Sequence, residues 1–112
     1  VSDSNKIDLP MNKWSRARLT AGEKTATTRT EQYGSPGDWF EVEDIMGYKR
    51  IYELTDVREV PLYVVADKHY DREGCASPKE FERIWSDIYP GRGWDPDWEV
   101  YLHLFEEVTE ET

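Results

Sequence analysis

The hydrophobic period of this chain changes twice, and that constrains its fold more than any other feature. From residue 98 onward, Trp98, Val100, Leu102 and Leu104 alternate with Glu99, Tyr101, His103 and Phe105, the two-residue period of a strand with one apolar and one mixed face. In Trp39–Glu43, Phe40 and Val42 alternate with Glu41 and Glu43 in the same way. Tyr48–Val57, after a turn at Met46-Gly47, is rich in the β-branched and aromatic residues of a longer strand. Between these segments the period lengthens. Leu62, Val65, Ala66 and His69 fall at i, i+3, i+4 and i+7, which predicts a helix over Leu62–Arg72 stopped at Gly74. Ser77-Pro78-Lys79-Glu80 then spells a capping box with proline at the first helical position, and Phe81, Ile84, Trp85 and Ile88 form one apolar stripe up to Pro90-Gly91. Near the start, Asn12 caps a short predicted helix in which Trp14, Ala17 and Ala21 face inward and Gly22 ends the run. Lys24–Arg29 is Thr-rich and reads as a short strand, and Gly91–Pro96 as a loop. Strands on both sides of a helical insert predict an α+β domain: a small, mostly antiparallel β-barrel with about three helices.

A chain of 112 residues is room for one domain. Residues 11–105 are expected to form it, with residues 1–10 as a flexible leader and 106–112, which hold four Glu, as an acidic tail. Val1–Pro10 is too polar for a signal peptide, no apolar run is long enough to span a membrane, and Cys75 is the single cysteine, so the cytoplasm is the expected compartment. The formal net charge is -10, divided as +3 over residues 1–30 and -13 over residues 31–112. That balance disfavours a sequence-independent hold on a nucleic-acid backbone, and no DNA-specific motif is present. With 24 acidic residues against six lysines, adaptation to high salt is a second explanation of the charge besides simple solubility.

Generic catalytic signatures are absent: no P-loop, no Gly-x-Gly-x-x-Gly, no Gly-x-Ser-x-Gly, no His-Glu-x-x-His. His69 and His103 have no ligand-like spacing and read as structural histidines, and Cys75 as an inert thiol. Gly91-Arg92-Gly93-Trp94 offers Trp94 as a base-stacking side chain, against the plainer reading of a surface loop.

The block Ala21-Gly22-Glu23-Lys24-Thr25-Ala26-Thr27-Thr28-Arg29 is the distinctive stretch, followed by Gly37-Asp38 at the opening of a strand. Gly22, Lys24, Thr27 and Arg29 spell Gly-x-Lys-x-x-Thr-x-Arg, and Asp87-Ile88-Tyr89-Pro90-Gly91 closes the helix that follows Ser77. In these strings and their spacing the chain resembles the ASCH domain family, over roughly Met11 to Phe105. The resemblance implies a PUA-like barrel with a cleft facing a nucleobase. It also implies an amidohydrolase activity, without metal or cofactor, that converts N4-acetylcytidine to cytidine and acetate. Carried over residue by residue, it makes Lys24, Thr27 and Glu73 the catalytic candidates. Arg29 and Thr25, on the same strand face as Thr27, join Trp94 as substrate-binding candidates. The Trp-rich loop Gly93–Trp98 is longer than the family pattern, which bears on substrate identity more than on fold.

Hydrolysis of an N-acyl amide needs a nucleophile, a base and a donor for the developing oxyanion. Thr27 can attack or position a water, and Lys24 can act as base if burial favours its neutral form. Glu73 can hold the ring or protonate the leaving nitrogen, and Arg29 can anchor an oxyanion or a phosphate. One geometric condition follows from strand alternation. Lys24 points away from Thr27 in a regular strand, so it can join the site only from the turn after Gly22. The alternative to an enzyme is a PUA-like module that binds RNA without turnover, and after that a ribonuclease; the expected partner is a modified nucleoside or RNA, with no membrane.

Overall fold

In a computed structural model the chain is described over residues 5–108. Helix α1 (Lys13–Thr20) leads through a turn to β1 (Ala26–Arg29); β2 (Trp39–Glu43) and β3 (Lys49–Pro61) form a hairpin; α2 (Leu62–Lys68) and α3 (Pro78–Ile88) follow, and β4 (Glu99–Val108) ends the described chain. The strands lie in the order β1-β4-β3-β2 with every neighbour antiparallel. The sheet curls into a half-barrel, which with three helices makes the small α+β fold expected from the change of period.

Each face of the sheet carries a core. Val100, Leu102 and Leu104 share a face of β4 and pack with Ala26, with Leu62, Val65 and Ala66 of α2, and with Phe81 and Trp85 of α3. Phe105, on the other face, joins Phe40, Val42, Tyr52, Leu54, Leu9 and Leu19. There Phe40 stacks on Tyr52 at 5.5 Å between centroids and meets Phe105 edge-on at 5.3 Å. Both faces of the second half of β4 are therefore covered, so its polar residue His103 is fully buried.

Local structure departs from the sequence reading in five places. The first is α1, where Asn12 caps as expected, its side chain accepting from the Ser15 amide. The buried residue is Leu19, however; Trp14 is half-buried and Ala17 and Ala21 are exposed. A helix of eight residues makes barely two turns, too few for spacing to fix its inward face. The second is β1, which begins at Ala26, leaving Lys24 in the preceding turn. The third is β3, which runs to Pro61 because a register shift between Leu54 and Asp56 lets it follow β4 around the curl. The shift resets the alternation: Leu54 and Val57 pack in the Phe40 core, Val60 against the Trp85 core.

The fourth is α2, which stops at Lys68 rather than Arg72, and residues 69–74 coil into turns closed by Gly74 at φ +85°. The fifth concerns the ends. Of the expected leader, residues 5–9 lie along β2: Ile7 N–H donates to the Trp39 carbonyl at 2.8 Å, Trp39 N–H to the Asn5 carbonyl at 3.0 Å, and Leu9 is buried. Of the expected tail, Glu106, Glu107 and Val108 continue β4 opposite Glu53, Tyr52 and Ile51. The remainder of both segments lies outside the described residues. Helix α3 matches its signature: Ser77 Oγ accepts from the Glu80 amide at 3.1 Å, and the Glu80 carboxylate accepts from the Ala76 amide.

Candidate functional site

Two backbone staples bring the Gly22–Arg29 block against the 69–74 turn. Gly22, at φ +81°, ends α1 so that the amides of Glu23 and Lys24 both donate back to the Arg18 carbonyl, at 2.9 and 3.2 Å. The amides of Thr25 and Ala26 then donate to the Arg72 carbonyl at 2.7 and 3.0 Å. Lys24 on one segment and Glu73 on the other are thereby set side by side before either side chain is considered. Lys24 lies in the turn before β1 and from there reaches Glu73.

The side chains complete what the backbone prepares. Lys24 Nζ donates to Glu73 Oε1 at 2.8 Å and to the Glu73 carbonyl at 3.3 Å, and Thr28 Oγ1 donates to Glu73 Oε2 at 2.5 Å. Lys24 is 3% exposed and Glu73 5%. Burial of two ions costs several kcal/mol each, roughly recovered only when their remaining polar atoms are also satisfied. Here both carboxylate oxygens and two of the three ammonium hydrogens have partners. One ammonium hydrogen and the lone pairs of the Thr28 oxygen remain uncommitted.

This network forms one wall of a cavity of about 170 Å³. The lining also includes Trp14 of α1 and Phe81, Trp85 and Tyr89 from α3 and its C-cap. Engineered apolar cavities of about 150 Å³ take up one benzene, so the space matches a single six-membered ring. The lysine and glutamate charges offset one another within the wall, Arg29 adds a cation to the lining, and the aromatic rings offer flat faces to a planar group.

Of the residues singled out in the sequence, Lys24, Glu73, Thr27 and Arg29 line this cavity, and Thr25 and Trp94 do not. Thr25 is exposed and is held through its backbone. Trp94 packs edge-on against Phe81 at 6.1 Å, outside the lining. Thr27 stands opposite His103 in the register, on the sheet face away from α3, whereas the hydroxyl bonded to Glu73 belongs to Thr28. Sequence spacing passed over Thr28, although it has the same parity as Lys24. Arg29 donates to the Pro10 carbonyl at 2.7 Å and lies over the Tyr33 ring at 5.9 Å. Trp85, read from sequence only as part of a core stripe, also borders the cavity.

The neighbouring titratable groups are quiet. His103 is fully buried; its Nε2 accepts from the Tyr33 amide at 3.1 Å and its Nδ1 lies 3.1 Å from the Tyr101 carbonyl, a pattern only the neutral Nδ1–H ring satisfies. Burial also holds its pKa below the ordinary histidine value. The Cys75 thiol, on the cavity wall, is pushed up to about 11 by burial and then by the Glu73 charge, which leaves it protonated and unreactive. Among the described residues no three His, Cys, Asp or Glu side chains converge as a metal site, and no helix is long and apolar enough to cross a membrane.

A curled antiparallel half-barrel carrying a lysine–glutamate pair beside an aromatic cavity defines a small α+β protein. Its fold is that of known ASCH-domain structures. The ASCH domain from Lactobacillus crispatus JV V101 superposes with a TM-score of 0.59 at 15% identity, over 93% of this chain and 79% of that one. Protein EF3133 from Enterococcus faecalis V583, a DUF984 protein, gives 0.63 at 21% identity over 96% and 77%. Hypothetical protein PH0355 gives 0.61 at 13% over 94% and 97%. At these identities the likeness is one of fold. No protein-family model and no curated protein matches the sequence.

Proposed function

We propose that this ASCH-fold protein is an amidohydrolase that removes the acetyl group from the exocyclic amine of N4-acetylcytidine. The observation that carries the reading is the buried Lys24–Glu73–Thr28 network on the wall of a ring-sized cavity. A carboxylate oxygen 2.5 Å from the hydroxyl oxygen that donates to it is a base already engaged with its nucleophile. In this reading the hydroxyl role expected of Thr27 falls to Thr28, and Thr27 shapes the wall.

Thr28 Oγ1 attacks the acetyl carbon while its proton passes to Glu73, and the uncommitted Lys24 hydrogen receives the developing oxyanion. Collapse of that intermediate breaks the C–N bond, and the Glu73 proton goes to the departing N4. Water then hydrolyses the acetyl-threonine ester by the same route, so that acetate and cytidine leave and Thr28 regains its proton. Lys24 acts as a fixed cation and donor here, with Glu73 in the role of base.

The test is incubation of the protein with N4-acetylcytidine, with cytidine and acetate followed by chromatography. Turnover abolished by Lys24→Ala, Glu73→Ala and Thr28→Ala, and retained in part by Thr28→Ser, supports the reading. Turnover that survives both Lys24→Ala and Glu73→Ala would overturn the site. A second reading, an RNA-binding module without turnover, draws on α1: Lys13 and Arg16 are exposed there, on the helix that lends Asn12, Trp14 and Ser15 to the cavity's vicinity. Absence of turnover together with RNA binding that weakens steeply with salt would favour it.

A further inference from the structure

Among the described residues four buried side-chain polar atoms have no hydrogen-bond partner: Arg29 Nε, Tyr52 Oη, His69 Nδ1 and Trp85 Nε1. Two of the four, Arg29 and Trp85, belong to residues that line the cavity beside Lys24 and Glu73. Native interiors rarely leave a buried donor unmatched, and each such donor calls for an explanation, a role in the site among them.

Trp85 is the more telling case. It is 3% exposed, and its ring is fixed by Tyr89 at 4.5 Å, Trp98 at 5.5 Å and Phe81 at 6.1 Å between centroids. Locked in this way, the indole cannot swing to an acceptor elsewhere. Its N–H is a donor and nothing else, so only an incoming acceptor can satisfy it. The Lys24–Glu73 wall is the end of the cavity suited to a developing negative charge. An uncharged, rigid donor such as an indole is suited to an acceptor that is present before reaction begins.

We infer that Trp85 is a specificity-determining residue whose indole N–H receives the ring carbonyl oxygen of the pyrimidine, so that the site selects pyrimidin-2-ones over rings that lack this oxygen. The inference rests on the amidohydrolase reading for the placement of the acyl group.

Two paired measurements test it. In the first, wild type and Trp85→Phe hydrolyse 1-methyl-N4-acetylcytosine, which has the ring carbonyl, and 4-acetamidopyrimidine, which lacks it. Loss of one neutral hydrogen bond is expected to raise KM for the first substrate about fivefold to tenfold in Trp85→Phe, with kcat and the KM for the second nearly unchanged. A purely structural lesion would weaken both substrates alike, and that result, or no change in either, overturns the inference. The second measurement needs no variant: the indole N–H resonances of the wild-type protein are followed during titration with 1-methylcytosine and with 4-aminopyrimidine, neither of which can be hydrolysed. The Trp85 signal, assigned through its contacts to Phe81 and Tyr89, should move downfield with the first ligand and stay with the second. A signal that ignores 1-methylcytosine overturns the inference even if hydrolysis is found. A signal that moves although no acetyl compound is hydrolysed upholds Trp85 as the carbonyl donor and removes the enzymatic reading alone.

Discussion

Glu73 is the residue on which the site's energetics turn, because it satisfies Lys24 and Thr28 at once. Removing one member of a buried ion pair leaves the other charge uncompensated, so Lys24→Met is expected to destabilise the fold by about 3–5 kcal/mol. The double variant Lys24→Met/Glu73→Leu removes both charges and should regain most of that loss, leaving chiefly the orphaned Thr28 hydroxyl. Urea unfolding of the two single variants and the double variant measures the coupling; additive losses would mean the pair is not coupled. His103 makes the other residue-scale prediction. Its folded pKa lies below the unfolded value of about 6.5, so the unfolded chain takes up the proton first as pH falls. Its contribution is therefore present above that pH and lost with acidification toward the folded pKa. The stability gap between wild type and His103→Gln should narrow between about pH 7.5 and about pH 5.5, and a gap that widens would mean the folded ring is charged. At this scale the family resemblance singled out both Lys24 and Glu73, which the fold sets side by side. Thr28 was not singled out, although strand parity alone puts it with Lys24. The partnerless Trp85 N–H could not be read at all, because apolar spacing on a helix records burial and is silent about acceptors.

Among the elements, α3 was written almost completely in the sequence, since a capping box and a four-residue stripe describe the same helix independently. The termination of α2 was not, because Asp67–Arg72 holds no Gly or Pro to mark an end before Gly74; the chain is instead turned by a tertiary contact, the Arg72 carbonyl being taken by the amides of Thr25 and Ala26. The reset of alternation in β3 is equally a product of sheet curl and leaves no local mark. The 69–74 turn now has a measurable role. A Cβ added at Gly74 would lie 3.2 Å from the Arg18 Cβ and 3.4 Å from the Lys24 Cβ, at a φ of +85°. At Gly22 the φ is +81° but nothing lies within 4 Å. Gly22→Ala should therefore cost only the left-handed backbone penalty, about 1–2 kcal/mol. Gly74→Ala should cost more than this, and under the amidohydrolase reading should also lower kcat by displacing Lys24 from Glu73. Equal unfolding free energies for the two variants, with hydrolysis intact in both, would show that Gly74 does not hold the lysine in place.

For the whole molecule the governing quantity is a formal charge of -10 on a body with a radius of gyration of 14.1 Å. At that size most charges lie within one or two Debye lengths of one another at about 0.1 M salt, so self-repulsion is only partly screened. Added salt should raise the melting temperature, and a chain adapted to high salt would go further and unfold reversibly in dilute buffer. The same field separates the two functional readings. A nucleoside is neutral and feels little of it, whereas its 5′-monophosphate carries about two charges of the protein's own sign at neutral pH. For the amidohydrolase, kcat/KM on N4-acetylcytidine should stay nearly constant from about 20 mM to about 500 mM salt, while the 5′-monophosphate, poorer at low salt, catches up as screening grows. The reverse pattern, in which the monophosphate is preferred at low salt and loses its advantage as salt rises, would mean that the basic side chains of α1 and Arg29 set the local potential. The cavity would then belong to a nucleotide within an RNA chain, and the net charge of the molecule would have been a poor guide to its partner.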